Sequence, residues 1–111
     1  MTRPSTADGL RVVLLDQHAL LRGALRMLLE AQPHFTIVGE AVPGPAAVAL
    51  VAQHQPDIIL LNLVLQPHAL ELIPPLLTAA EQTRLLVVTA PHDDQMRRQA
   101  LHLGARGILH T

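Results

Sequence analysis

Two residues of this chain, Asp16 and Asn62, stand where chemistry could be built. Each closes a run of large apolar residues: Leu10-Arg-Val-Val-Leu-Leu15 leads into Asp16-Gln17-His18, and Pro56-Asp57-Ile58-Ile59-Leu60-Leu61 leads into Asn62. Short apolar runs bounded by turn residues read as strands buried on both faces. In open α/β sheets, ligands bind beyond the carboxyl ends of such strands. A third run, Arg84-Leu-Leu-Val-Val-Thr89, ends before Pro91-His92, and a short one, Gly107-Ile-Leu109, precedes His110 and Thr111. One sheet edge is thus predicted to gather Asp16, Gln17, His18, Asn62, His68, Thr89, His92, His110 and Thr111. Asn62 decides most, because an amide is far too weak a nucleophile for the covalent chemistry open to a carboxylate. The imidazoles of His18, His68, His92 and His110 could ligate a metal or sense pH. The competing reading is that they are exposed loop residues with no common target.

Composition narrows the options. The chain has 111 residues, 50% of them hydrophobic, enough for one core and one domain. Phe35 is the only aromatic residue, so the core must be built from Leu, Val, Ile and Ala. Cysteine is absent, which excludes disulfides, thiol catalysis and thiolate metal sites. Every basic side chain is Arg, so lysine-dependent phosphate and Schiff-base chemistry are excluded too. Ser5 is the only serine, and no Gly-rich phosphate loop is present, which leaves an enzyme reading weak. A net charge of -1 without a basic run argues against direct nucleic-acid binding. No apolar run reaches the roughly 20 residues that span a bilayer. Residues 1–9 are polar and lack a signal-peptide core, so they read as a flexible tail before a domain at 10–111. A soluble, cytoplasmic protein without a cofactor is expected.

The elements that must position the edge follow from periodicity. Leu20, Leu21, Ala24, Leu25, Leu28 and Leu29 paint one apolar stripe on a helix running to about Ala31, with Arg22, Arg26 and Glu30 opposite. Arg26 and Glu30, at i,i+4 spacing, are placed to pair. Phe35-Thr-Ile-Val-Gly-Glu-Ala41 alternates like a strand at the sheet edge. Pro43-Gly44-Pro45 launches a second helix through about His54, with Ala47, Leu50 and Val51 inward. Asp57 serves a turn at the opposite edge of the sheet. Residues 69 to about 80 should be helical, with a kink or fresh start at Pro74-Pro75. Asp93 or Asp94 can cap a fourth helix whose inner face carries Met96, Ala100 and Leu103, and Gly104 can end it. Strands alternating with helices throughout predict a doubly wound parallel sheet with right-handed crossovers.

Leu15-Asp16-Gln17-His18-Ala19-Leu20-Leu21-Arg22, Pro56-Asp57 through Asn62, Leu86-Val87-Val88-Thr89-Ala90 and Gly104-Ala105-Arg106-Gly107 together resemble the receiver domain of bacterial response regulators. The nearest likeness is to the NarL/FixJ branch, whose receivers usually precede a LuxR-type helix-turn-helix domain. The resemblance runs from Leu10 to Thr111 and implies a flavodoxin-like fold with strand order 2-1-3-4-5. It also implies what each edge residue replaces. The two adjacent acids of the family fall on Asp16 and Gln17, the phosphoacceptor aspartate on Asn62, the hydroxyl switch on Thr89, the aromatic switch on Ile108 and the lysine on Thr111. Gln66-Pro67 stands where the family usually has Met-Pro. Val64 offers the main-chain carbonyl that the family uses for Mg²⁺, but three candidate acids have fallen to one. A buried lysine with no anion to pair would be costly, and Thr111 avoids it.

These changes agree with one another, and a single engineered substitution at Asn62 would not also alter Gln17, Ile108 and Thr111. The resemblance therefore implies a degenerate receiver that signals by protein contact rather than phosphorylation, as the regulatory part of a LuxR-type transcriptional regulator. The alternative is a small-molecule, metal or pH sensor in the old acidic pocket. Thr89 reads equally as a polar strand end bonded to backbone. Arg97-Arg98 read as a solvated face or as a docking surface. The family's final helix is absent from this chain, which predicts an uncovered apolar face over the third to fifth strands and, from it, a homodimer.

Overall fold

The computed structural model describes residues 9–64 and 66–110. Five strands and their crossovers follow in order as β1 (Leu10–Leu15), α1 (Ala19–Glu30), β2 (Phe35–Ala41), α2 (Pro45–His54), β3 (Ile58–Asn62), a 3-10 segment (Pro67–Leu72), α3 (Ile73–Ala79), β4 (Arg84–Thr89), α4 (Asp94–Leu103) and β5 (Gly107–His110). The sheet order is β2-β1-β3-β4-β5 with every neighbouring pair parallel, a flavodoxin-like arrangement. β3 lies at its centre, so both faces of Ile59, Leu60 and Leu61 are covered and an uninterrupted apolar run is what the position requires.

Alternate residues of the strands feed two cores. On one face Val13, Leu15, Ile59, Leu61, Leu85 and Val87 pack with Ala47 and Val51 of α2, Ile73 and Leu76 of α3, and Ala100 of α4. On the other, Val12, Leu14, Leu60 and Val88 pack with Leu25 and Leu29 of α1, Phe35 and Ile37 of β2, and Val64. The predicted caps of α4 are both in place. The Asp93 side chain accepts from the Met96 N–H at 3.1 Å, and Gly104 closes the helix with φ 119°. β2 occupies a sheet edge, as its alternation predicts.

Four expectations need correction. The fresh start expected at Pro74-Pro75 is found, the α-helix beginning at Ile73 because the two prolines fit the first turn where no N–H is required, and the correction is confined to the stretch before it, which is 3-10 rather than α. Gly9, assigned to the tail, is buried; at φ 84° a Cβ there would lie 2.9 Å from the His34 carbonyl oxygen, so the position requires glycine. The rest of the expected tail and Thr111 lie outside the described residues. Arg26 pairs with Glu40 across the sheet edge at 3.2 Å, because β2 brings a carboxylate alongside α1.

The fourth correction concerns the apolar face. Leu60 and Val88 are only 6% and 5% exposed, since neighbouring strands and α1 already shield them. The expected face stays open only at its β5 margin, where Leu109, paired with Val88, is 47% exposed, and the larger exposed hydrocarbon lies on α1, where Leu20, Met27 and Leu28 are 89%, 73% and 68% exposed. At 100° per residue this flank lies away from Leu25 and Leu29, which meet the sheet, and away from the Arg22 and Arg26 side that reaches β2.

β2 carries one irregularity. Val12 pairs with Ile37 but Val13 pairs with Gly39, so Val38 is an extra residue in the edge strand, a β-bulge.

Candidate functional site

Asp16 and Asn62 end adjacent strands, with Leu15 in register with Leu61, and each is 1% exposed. The Asp16 main-chain N–H donates to the Ala41 carbonyl at 3.1 Å, which fixes where β1 ends. Both carboxylate oxygens then find donors: Oδ2 accepts from Asn62 Nδ2 at 2.9 Å, and Oδ1 from the His18 N–H at 2.9 Å. Asn62 Oδ1 accepts from the Val64 N–H at 2.8 Å. Only this orientation of the amide satisfies both neighbours, a carboxylate that can only accept and an N–H that can only donate.

Gln66 completes the circuit. Its side chain is 1% exposed; Oε1 accepts from the Gln17 N–H at 3.0 Å and Nε2 donates to the Asn62 carbonyl. Below the site, Arg22 of α1 donates through Nη1 to the Asp16 carbonyl at 2.7 Å and pairs through Nε with Glu40 at 3.0 Å. The loops after β1 and β3 are thereby joined by two side-chain hydrogen bonds, those of Asn62 Nδ2 and Gln66 Oε1, while Asn62 Oδ1 and Gln66 Nε2 brace the loop after β3 upon itself.

The residues predicted for this edge divide into two groups. Asp16, Asn62 and Thr89 are buried at their strand ends, with Asn62 in register with Val88 and Thr89 with His110. Gln17 is exposed and contributes only its main-chain N–H, so the position that resembles the second acid brings no side chain to the pocket. Ile108 is half-buried against the α2–α4 core. His18, His68 and His92 are exposed, His92 in a turn with φ 69°. The His110 side chain and Thr111 lie outside the described residues. Asp57 sits at the opposite edge, where its carboxylate accepts from the Arg11 N–H at 2.8 Å. Arg97 pairs with Asp94 at 3.4 Å, while Arg98 lines a shallow cavity of about 320 Å³ with Leu70, Gln99, His102 and Leu103.

Sequence reasoning missed the weight of Gln66 and of the Arg22–Glu40 pair. Gln66 is visible in the sequence only as an amide in a loop, and its partner Gln17 lies 49 positions away. Arg22 was legible as the polar side of α1, but its partner on β2 depends on the bulge.

Mg²⁺, which the family resemblance implies at this edge, does not suit these residues. It takes near-octahedral oxygen ligands, usually with one or two carboxylates. Here both oxygens of Asp16 already accept from N–H donors, and Asn62 directs an N–H group into the space between them. Among the described residues, no group of three or more His, Cys, Asp or Glu side chains is placed to hold a metal ion.

Comparison with known proteins agrees with this geometry at the level of family. Residues 12–110 match the model of the response regulator receiver domain. The transcriptional regulatory proteins YdfI and LiaR of Bacillus subtilis are 33% and 32% identical over 100 and 101 residues, covering 89% and 90% of this chain but 46% and 48% of theirs. The chain thus spans about half the length of the curated relatives it matches. Among solved structures, a LuxR-family response regulator from Aurantimonas superposes with a TM-score of 0.83 at 27% identity, covering 92% of this chain and 74% of that one. The receiver domain of NarL from Mycobacterium tuberculosis gives 0.76 at 31% identity, covering 92% and 83%. This chain belongs to the response regulator receiver family, in its NarL/LuxR-type branch. Among the described residues, no helix is long and apolar enough to cross a membrane.

Proposed function

We propose that this receiver works by protein contact and without phosphorylation, as the regulatory half of a cytoplasmic, LuxR-type transcriptional regulator. The observation that carries this reading is the hydrogen bond from Asn62 Nδ2 to Asp16. Where the family presents a nucleophilic carboxylate, this chain presents an N–H donor already committed to its neighbour. The two amide lone-pair sites are no better placed, since Oδ1 is engaged by Val64 and the nitrogen is not a nucleophile. The site residues Asp16, Gln17, Asn62 and Thr89 then serve structure, and the domain is not an enzyme. DNA binding belongs to an output domain outside these residues, which is supported by the names of the curated relatives and by the half-length match. Nothing in the placement of His18, His68 and His92 favours the alternative of a metal or pH sensor.

Acetyl phosphate or beryllofluoride with Mg²⁺ is the direct test. Intact-mass measurement is expected to show no phosphoryl adduct, and calorimetry no beryllofluoride binding. A stoichiometric adduct on the domain would overturn the reading.

Pairing with a second copy is the finer part of the proposal. Leu20, Met27 and Leu28 form a run of exposed hydrocarbon along one flank of α1, of a kind that monomers seldom leave open. A polypeptide of these 111 residues is expected to self-associate in light scattering, and Leu28→Glu is expected to return it to monomer. A stable monomer that binds no hydrophobic dye would refute this.

A further inference from the structure

We infer that Gln66 is a fixed clasp that holds the loops after β1 and β3 in one arrangement, independent of any cation. Two observations carry it. Gln66 is 1% exposed although it lies in a loop, and a buried primary amide is costly unless its groups are bonded. Both of its functional atoms are bonded, and to the main chain of two different loops: Oε1 to the N–H of Gln17, Nε2 to the carbonyl of Asn62. A divalent cation between strand ends would draw their oxygens together by charge. Gln66 ties them with neutral hydrogen bonds, one accepted and one donated, so the tie persists without any ion. Asn62 extends the same tie by bonding Asp16 on one side and Val64 on the other. The clasp deepens the phosphorylation-independent reading by naming what holds the pocket shut, yet it can fail separately.

Hydrogen exchange of individual amides tests it on the intact 111-residue domain. Gln66→Met keeps the length of the side chain and removes both bonds. The Gln17 N–H group, which loses its acceptor, is expected to exchange about tenfold faster, the factor that corresponds to one net hydrogen bond. The amides of Ile59 and Leu61 in β3 should change little by comparison. In Gln66→Glu the acceptor for Gln17 remains while the donor to Asn62 is lost, so the Gln17 amide should keep its protection. In the unaltered domain, adding Mg²⁺ or a chelator is expected to leave the Gln17 amide unchanged.

Equal acceleration of loop and strand amides would reduce Gln66 to a packing residue and overturn the inference. So would failure of both variants to fold, unchanged exchange in Gln66→Met, or slowing of the Gln17 amide by Mg²⁺ in the unaltered domain. A domain that accepted phosphate yet showed the Gln66 dependence would refute the proposed function and leave the clasp standing.

Discussion

Asn62→Asp is expected to weaken the fold instead of restoring a working phosphorylation site. The substitution turns the N–H donor that faces Asp16 at 2.9 Å into a second carboxylate, with both groups 1% exposed. The variant loses a hydrogen bond to a charged group and gains a like-charge contact, together costing about 2–3 kcal/mol. For a domain of this size that lowers the melting temperature by roughly 8–15 °C. Thermal unfolding in the presence of a chelator measures it. Mg²⁺ should recover only part of the loss, because Gln17 brings no second carboxylate and turns its side chain to solvent. Full recovery of stability in Mg²⁺, together with stoichiometric labelling by acetyl phosphate, would mean that the rest of a receiver site is intact and that Asn62 alone silences it.

Leu61→Ala carries the other large effect. Leu61 is fully buried, paired with Leu15 on one side and Val87 on the other, and packed into the core beneath α2, α3 and α4. Truncation there leaves a cavity that a rigid central strand cannot collapse, at a cost of about 2–5 kcal/mol, a large part of the stability of a domain this size. Denaturant unfolding should show the midpoint fall with little change in slope. Leu101→Ala on α4, at a site 47% exposed and away from the α1 flank, is the control and should stay within about 0.5 kcal/mol of the parent. Equal losses at the two positions would mean that burial in the central strand does not set the cost.

How much could be read from the chain follows from the range of each signal. Ile58–Asn62 was legible as a central strand because burial on both faces leaves an unbroken apolar run. The caps of α4 were legible because Asp93 and Gly104 act within one turn of themselves. At the site, the strand-end placement of Asp16, Asn62 and Thr89 was legible by the same logic. The committed hydrogen bonds were not. They join residues 46 and 49 positions apart, and nothing local marks Gln66 as buried. Periodicity likewise assigned Leu20 and Leu28 to one stripe with Leu25, but it cannot say how wide a stripe the sheet will cover; the structure covers only the part centred on Leu25 and Leu29.

The extra residue in β2 has a consequence for parity. Side chains along a strand alternate faces, and Phe35 and Ile37 point to the α1 side, Val38 to the α2 side. Uninterrupted alternation would send position 39 back toward α1 and position 40 toward α2. Instead a Cβ at Gly39 would meet Leu50 of α2, and Glu40 reaches Arg22 and Arg26 of α1. One inserted residue thus reverses odd and even for the remainder of the strand. With the even count restored, Glu40 would face hydrocarbon and the two arginines would lose their anchor, including the one that holds the Asp16 carbonyl. The rotational setting of α1 over the pocket is therefore decided at the far margin of the sheet, by the number of residues between Ile37 and Glu40 rather than by their chemistry.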